Sequence, residues 1–241
     1  MSDPGEVSII DEALFRPVRS GNAFEDTVAR LLQTIRLGIV MPGSALPSER
    51  DLATRLSVSR DTVRDAIREL AEAGYLVSRR GRYGGTFVSD TLPAPATSPS
   101  VVLSAAELDD VLGLREILEV GAARAAAQRA LAGSEREALW TRLAESLAAG
   151  KEDYRRLDSR LHLSIAELAG TPSLVTLVAD SRSRLNDLLD RIPLLAPNIV
   201  HSNAQHEQVV AAILRGDEQK AAEAMTEHLA GSAALLRGFL G

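Results

Sequence analysis

Leu46–Val88 reads LPSERDLATRLSVSRDTVRDAIRELAEAGYLVSRRGRYGGTFV, and the order of its parts decides the fold of the first third of the chain. Ser48 is placed to cap a helix, with Asp51 three residues on as a short variant of the capping box, and Ser59 is placed to cap the next. On a helical wheel of residues 59–70, Val63, Ala66, Ile67 and Leu70 make one apolar face. Arg60, Arg64 and Arg68 fall on an adjacent stripe, because steps of four keep side chains nearly aligned. Leu76–Ser78 and Thr86–Val88 are apolar or β-branched enough to pair as short strands. Between them Arg79, Arg80, Arg82 and Tyr83 are interleaved with Gly81, Gly84 and Gly85, which permit a turn and a close approach of backbone to a ligand. Helix, tight turn, helix and basic hairpin in this order suit a helix laid in a DNA major groove with a wing beside it. Taken alone, the arginine stripe would fit a solvated face paired with Asp61, Asp65 and Glu72. The whole sequence of parts favours DNA.

The net charge of −6 is at odds with a nucleic-acid partner, but its distribution answers the objection. Residues 44–88 carry eight Arg against six acidic side chains, whereas residues 91–241 carry 20 acidic against 15 basic. A local basic face, not the sum over the chain, governs phosphate binding. The chain has no cysteine, which excludes disulfides and thiolate metal sites and suits a reducing cytosol. No apolar run approaches the roughly 20 residues of a membrane span, and the start, MSDPGEVS, lacks the features of a signal peptide. A soluble, cytoplasmic protein is expected.

Outward from this segment, residues 1–20 have weak periodicity and read as an arm. Val28, Leu31, Leu32 and Ile35 recur at helical spacing within a helix expected from about Asn22 to Ile39, which Gly38 and Pro42-Gly43 stop. Residues 89–100, SDTLPAPATSPS, have the composition of a semi-rigid linker. The expected domains are therefore 21–89, a winged helix-turn-helix, and 101–241, joined by a linker over 90–100. The second half reads as about six helices with no convincing strand. Ser104–Glu107 and Ser134–Glu137 match capping boxes, Thr171-Pro172 starts a helix, and Gly216-Asp217 ends one and caps the last. The fold class is mainly α, with an N-terminal winged helix-turn-helix and a C-terminal antiparallel helical bundle.

Three of the four histidines fall where a metal site could assemble. Asp158 and His162, at i and i+4, project from one helix face. His206 is in phase with Val209, Val210 and Ile213, and His228 shares a face with Ala221, Ala224, Met225 and Leu235. One carboxylate and three imidazoles suit a borderline divalent ion such as Zn²⁺, Ni²⁺, Mn²⁺ or Fe²⁺. Each histidine by itself reads equally as a core residue satisfied by a hydrogen bond, and His201, five residues from His206, keeps that reading.

LPSERDLA, SRDTVRDAIREL, GYL and GGTFV resemble the winged helix of GntR-type bacterial transcription regulators. The resemblance implies that Arg50, Arg60 and Arg64 occupy DNA-contact positions, with Ser59, Asp61 and Gly81 nearby; Arg80 and Arg82 join the expected contacts from the basic composition of the wing. Asp61 departs from the small hydroxyl residue often found there, and an acid at the groove could accept from cytosine N4. Asp158-x-x-x-His162, followed by HEQVVAAILRGDEQKAAEAMTEH from His206 to His228, resembles the all-helical FCD domain of the FadR subfamily. That resemblance implies metal ligation by Asp158, His162, His206 and His228. Leu161, where an aromatic is common, and Ala169-Gly170-Thr171 at the helix end are departures that bear on packing. Arg115, in LREILE, matches an arginine that resembles an anchor for an effector's carboxylate. Arg184 and Asn186 are candidates for further effector contacts, with an ordinary surface role equally open.

The expected protein is a homodimeric regulator, a repressor by family habit, binding double-stranded DNA at an inverted repeat. A small carboxylate effector at the metal would control it. Two alternatives stand beside this: a regulator for which the metal itself is the signal, and a DNA-tethered metalloenzyme, for which no general base or nucleophile motif is evident.

Overall fold

The computed structural model describes Phe15, Pro17 and residues 23–81, 84–93 and 104–240. Arg82 and Tyr83, the rest of the N-terminal arm and most of the linker lie outside the described residues. The chain divides into two compact units, residues 1–95 and 96–241.

The first unit has three helices, α1 (Ala23–Arg36), α2 (Glu49–Leu56) and α3 (Arg60–Glu72), and a hairpin of β1 (Leu76–Arg79) and β2 (Gly85–Val88). Both serine caps form: Ser48 Oγ accepts from the Asp51 amide at 3.2 Å and Ser59 Oγ from the Thr62 amide at 3.0 Å. The turn between α2 and α3 is tight because Ser57 adopts φ 55°, a left-handed conformation that costs a non-glycine residue about 1–2 kcal/mol. Its amide closes α2 by donating to the carbonyls of Ala53 and Thr54. Leu31 and Ile35 of α1, Leu52 and Leu56 of α2, and Val63, Ala66, Ile67 and Leu70 of α3 are buried together with Leu76 and Val88. Phe15 of the arm joins this core. Burying one such leucine contributes roughly 1.5–3 kcal/mol, so the core fixes which face of α3 remains outside.

The hairpin is antiparallel, with Leu76 opposite Val88 and Arg79 opposite Gly85, each strand one residue longer than expected. The segment before α2 lies along its far edge. Leu46 N donates to Thr86 O at 2.8 Å, Val88 N to Ser44 O at 2.9 Å, and Ala45 bridges Phe87. At the wing tip, Gly81 has φ 108°, and a Cβ on Gly84 would meet Arg79 O at 2.5 Å. Neither position accepts a side chain without strain.

The second unit consists of α4 (Ala105–Gln128), α5 (Gly133–Leu147), α6 (Tyr154–Leu168), α7 (Pro172–Leu189), α8 (Ala196–Arg215) and α9 (Glu218–Leu240). No strand occurs among its described residues, as expected. α4 is central and packs against α6, α7, α8 and α9. Its buried Ala122, Ala123, Ala126 and Ala127 allow close approach, while Leu108, Val111 and Leu112 pack with Leu185, Leu188 and Leu236. Ser104 and Glu107 make the expected capping box. The box expected at Ser134–Glu137 does not form: α5 begins earlier, and Glu135 Oε2 accepts from the Ala132 amide at 2.7 Å. Alanine supplies no side-chain acceptor, so only that half of the motif exists. Among the described residues no helix is long and apolar enough to cross a membrane.

Candidate functional site

In the first unit the inner face of α3 is buried and Arg60, Arg64 and Arg68 stand exposed on its outer side. Arg64 is held between two acids: Nη1 donates to Asp61 Oδ1 at 3.0 Å and Nη2 to Glu49 Oε2 at 3.2 Å. Arg68 pairs with Asp65 at 2.8 Å. The pairs with Asp61 and Asp65 are i,i+3 contacts, where i,i+4 pairs were the expectation for a solvated face, and the Glu49 contact crosses to α2. Arg50 is exposed and Arg60 makes no ion pair among the described residues. Arg79 lies over the Phe87 ring, 4.4 Å from its centroid, while Arg80 and Gly81 are exposed at the tip. Arg82 lies outside the described residues. One face of the unit thus carries several guanidiniums on a helix flanked by a short wing, a shape and charge suited to a DNA groove.

In the second unit the structure brings Asp158, His162, His206 and His228 together. One ligand atom from each lies within 4.8 Å of all the others. His206 Nε2 is 3.3 Å from Nε2 of both His162 and His228 and 3.2 Å from Asp158 Oδ1. His162 Nε2 is 3.8 Å from the same oxygen. α6 supplies the first pair one turn apart; α8 and α9 supply one histidine each from faces whose other members, Val209, Val210, Ile213 and Met225, are buried. Three imidazole nitrogens crowded at this distance cannot all satisfy one another, since each pair needs one donor and one acceptor. Turned inward on a carboxylate, they form a donor set that fits a borderline divalent cation.

Around the tetrad lies a second ring of buried groups, of which sequence reading found only Arg115 and Asn186. Glu119 Oε2 sits 2.5 Å from His162 Nδ1, and Glu119 Oε1 accepts from Arg115 Nε at 3.2 Å. Arg182, fully buried on α7, pairs with Asp158 and donates to Ser159 Oγ at 3.3 Å. Asn186 Nδ2 donates to the same hydroxyl at 2.9 Å, so Asn186 supports Ser159 rather than touching the tetrad. Arg184 is exposed and is not brought to the site. The phase of α7 explains both: Arg182 is seven residues from buried Val175 and three from buried Leu185, while Arg184 falls off that face.

Burial opposes ionisation of Asp158, yet the Arg182 guanidinium and a hydrogen bond with His206 hold it well below the usual carboxylate range. Glu119 is also buried, and His162, Arg115 and Arg182 hold it well below that range too. Burial pushes His162 down despite Glu119 beside it. Burial, and then the neighbouring His206 and His162, push His228 well down. His162 and His228 therefore favour the neutral form that a metal ligand requires. The tetrad borders a cavity of about 370 Å³, with Arg115, Asp158, His228 and Ser232 in its wall. Arg115 Nη1 donates to Ser232 Oγ at 2.6 Å, which aims the guanidinium along that wall.

Comparison with known proteins follows the same division. Residues 24–88 match the family of bacterial regulatory proteins called the gntR family, and residues 110–231 match the FCD domain. An Escherichia coli K12 protein, provisionally named an L-lactate dehydrogenase operon regulatory protein, is 32% identical over 224 residues, which span 88% of this chain and 84% of that one. The Uxu operon transcriptional regulator of the same organism is 31% identical over 206 residues, spanning 78% and 76%. The transcriptional regulator LutR of Bacillus subtilis is 26% identical over 215 residues, spanning 85% and 97%. The solved structure of Escherichia coli McbR/YncC shares the fold, with a TM-score of 0.57 at 18% identity over 90% of this chain and 97% of that one.

Proposed function

The chain belongs to the gntR family of bacterial regulatory proteins and carries an FCD domain, so it is a DNA-binding transcription regulator and not an enzyme; from that premise we propose that a small carboxylate effector, bound beside a divalent metal ion in the helical unit, controls its operator affinity. The observation that carries this reading is the convergence of Asp158, His162, His206 and His228 beside a cavity whose wall includes Asp158, His228 and Arg115. Asp158, His162, His206 and His228 would hold the ion, which supplies a Lewis-acidic position for an anionic ligand. The buried charges of Asp158 and Glu119 offset those of Arg115 and Arg182. A divalent ion adds two positive charges to this balance, and a carboxylate ligand offsets part of them. Arg115, aimed by Glu119 and Ser232, is placed to steady that ligand.

The output is a homodimeric cytoplasmic repressor whose two winged helices read an inverted repeat through Arg50, Arg60 and Arg64, with Ser59, Asp61, Arg80, Gly81 and Arg82 nearby. Effector binding releases DNA only if it favours the state that binds DNA less tightly. The experiment is operator binding by metal-loaded and chelated protein, with and without a panel of carboxylates. Lactate, which appears in the name of one relative's operon, is a natural first member. Release of DNA by a carboxylate only when metal is present supports the reading. Release or recruitment by metal alone would favour the reading in which the metal is the signal. Unchanged DNA binding under every condition would remove both.

A further inference from the structure

The cavity beside the tetrad is built asymmetrically, and three helices repeat the same offset. On α7, Leu189 follows Arg182 by seven residues; on α8, Ile199 precedes His206 by seven; on α9, Leu235 follows His228 by seven. Seven residues are about two turns, so each apolar side chain lies on the same face as its polar counterpart and roughly 10 Å along the helix from it. All three line the cavity, as does Arg155, near the start of α6 and just before Asp158. The tetrad and Arg115 thus lie toward one end, and the other end is mostly hydrocarbon, with Arg155, Asn198, His201 and Ser202 as its polar members.

The loop between α7 and α8 closes the apolar end. Ile192, Leu194 and Leu195 line the cavity there. Arg155 straps this loop: its guanidinium donates to the carbonyls of Leu189 and Ile192, the second at 3.2 Å, and pairs with Asp190 at 3.1 Å. Its charge is thereby balanced by Asp190 within the loop. The volume, about 370 Å³, lies within the roughly 300–1,000 Å³ that small-molecule sites occupy and exceeds what an acid of two or three carbons fills.

From these placements we infer that the ligand of this cavity is a monocarboxylate with a hydrocarbon tail, its tail packed against the α7–α8 loop, which acts as the specificity element. The inference rests on the carboxylate reading above and deepens it. Dicarboxylates are disfavoured, because a second anionic group would sit among Leu189, Ile192, Leu194 and Leu235, where Arg155 is already paired with Asp190.

The test is isothermal titration of the full-length Zn²⁺-loaded protein with acetate, L-lactate, butyrate, hexanoate, octanoate and adipate. Affinity is expected to rise about fourfold per added methylene until the cavity is full, with adipate much weaker than hexanoate. Leu194→Gln, in the half-buried loop, should flatten this dependence on chain length while leaving acetate affinity and zinc content unchanged. Leu235→Asn, on another element, should do the same and guards against a variant that simply misfolds. Equal affinity for lactate and hexanoate, or adipate binding as tightly as hexanoate, overturns the inference and leaves the carboxylate reading standing. Failure of every acid to bind the metal-loaded protein overturns both.

Discussion

Glu119 Oε2 lies 2.5 Å from Nδ1 of His162, on the ring opposite the nitrogen that faces His206. A carboxylate there fixes the tautomer and the orientation of the imidazole, leaving Nε2 as the free ligand atom. Glu119→Gln keeps the shape and removes the charge. It is expected to lower metal affinity 10- to 100-fold, the range typical of such outer partners, as measured by competition with a zinc chelator. Unaltered affinity would show that packing alone orients His162.

His206 is the hub of the tetrad, within 3.3 Å of three other ligand atoms. His206→Ala should abolish stoichiometric metal by elemental analysis. The winged helix belongs to the other compact unit and should keep its fold and its basal operator binding. Full metal occupancy in this variant would remove His206 from the ligand set.

Arg64 should be the most sensitive single contact to DNA. Arg64→Ala is expected to cost about 1–3 kcal/mol in operator binding and to relax preference at one base position if it reads a base edge. A phosphate contact would instead weaken all sequences alike and lower the salt slope by about one. Asp61→Asn frees Arg64 from one of its two acids and should strengthen binding to unrelated DNA, read by fluorescence anisotropy at moderate salt.

The metal-free helical unit should lose stability in two separate acid windows. His162 and His228 have folded pKa values below the ordinary 6.5, so between those values and 6.5 the unfolded chain binds more protons than the folded one. Stability therefore falls as pH drops below about 6.5. Asp158 and Glu119, held below their ordinary 3.8 and 4.5, add a second loss at lower pH still, as the unfolded carboxylates protonate first. Melting temperatures across pH 3–8 for the native chain and a His228→Gln variant check this. The variant should lose part of the upper step and keep the lower.

The winged helix was legible almost residue by residue, because caps, turn glycines and a 3.6-residue apolar period are local signals. The third edge of the wing, Ser44–Leu46 against Thr86–Val88, was not, since main-chain pairing across 40 residues leaves no pattern in either segment. In the second half the four converging residues stood out as rare residue types at helical spacing. Their support did not. Glu119 lies one turn from Arg115 and could have been found by asking what an arginine anchored on an apolar face would need beside it. Naming Arg184 neglected helical phase: in SRSR the two arginines lie about 200° apart, and only Arg182 follows Val175 and Val178 inward. The Ser134 box failed although residue types favour it, because the helix starts earlier, where Glu135 accepts from the Ala132 amide without a side-chain cap.

Asp158, His162, His206 and His228 lie on three helices and span 70 residues of chain. Tying those helices at one point closes a long loop, which by chain entropy alone would withdraw about 4 kcal/mol of freedom from the unfolded state, much as a cross-link does. A chain without cysteine has no disulfide with which to do this. Such a knot can be made and undone at constant redox potential, so the supply of metal ions, and not oxidation, would set how firmly the second half is tied.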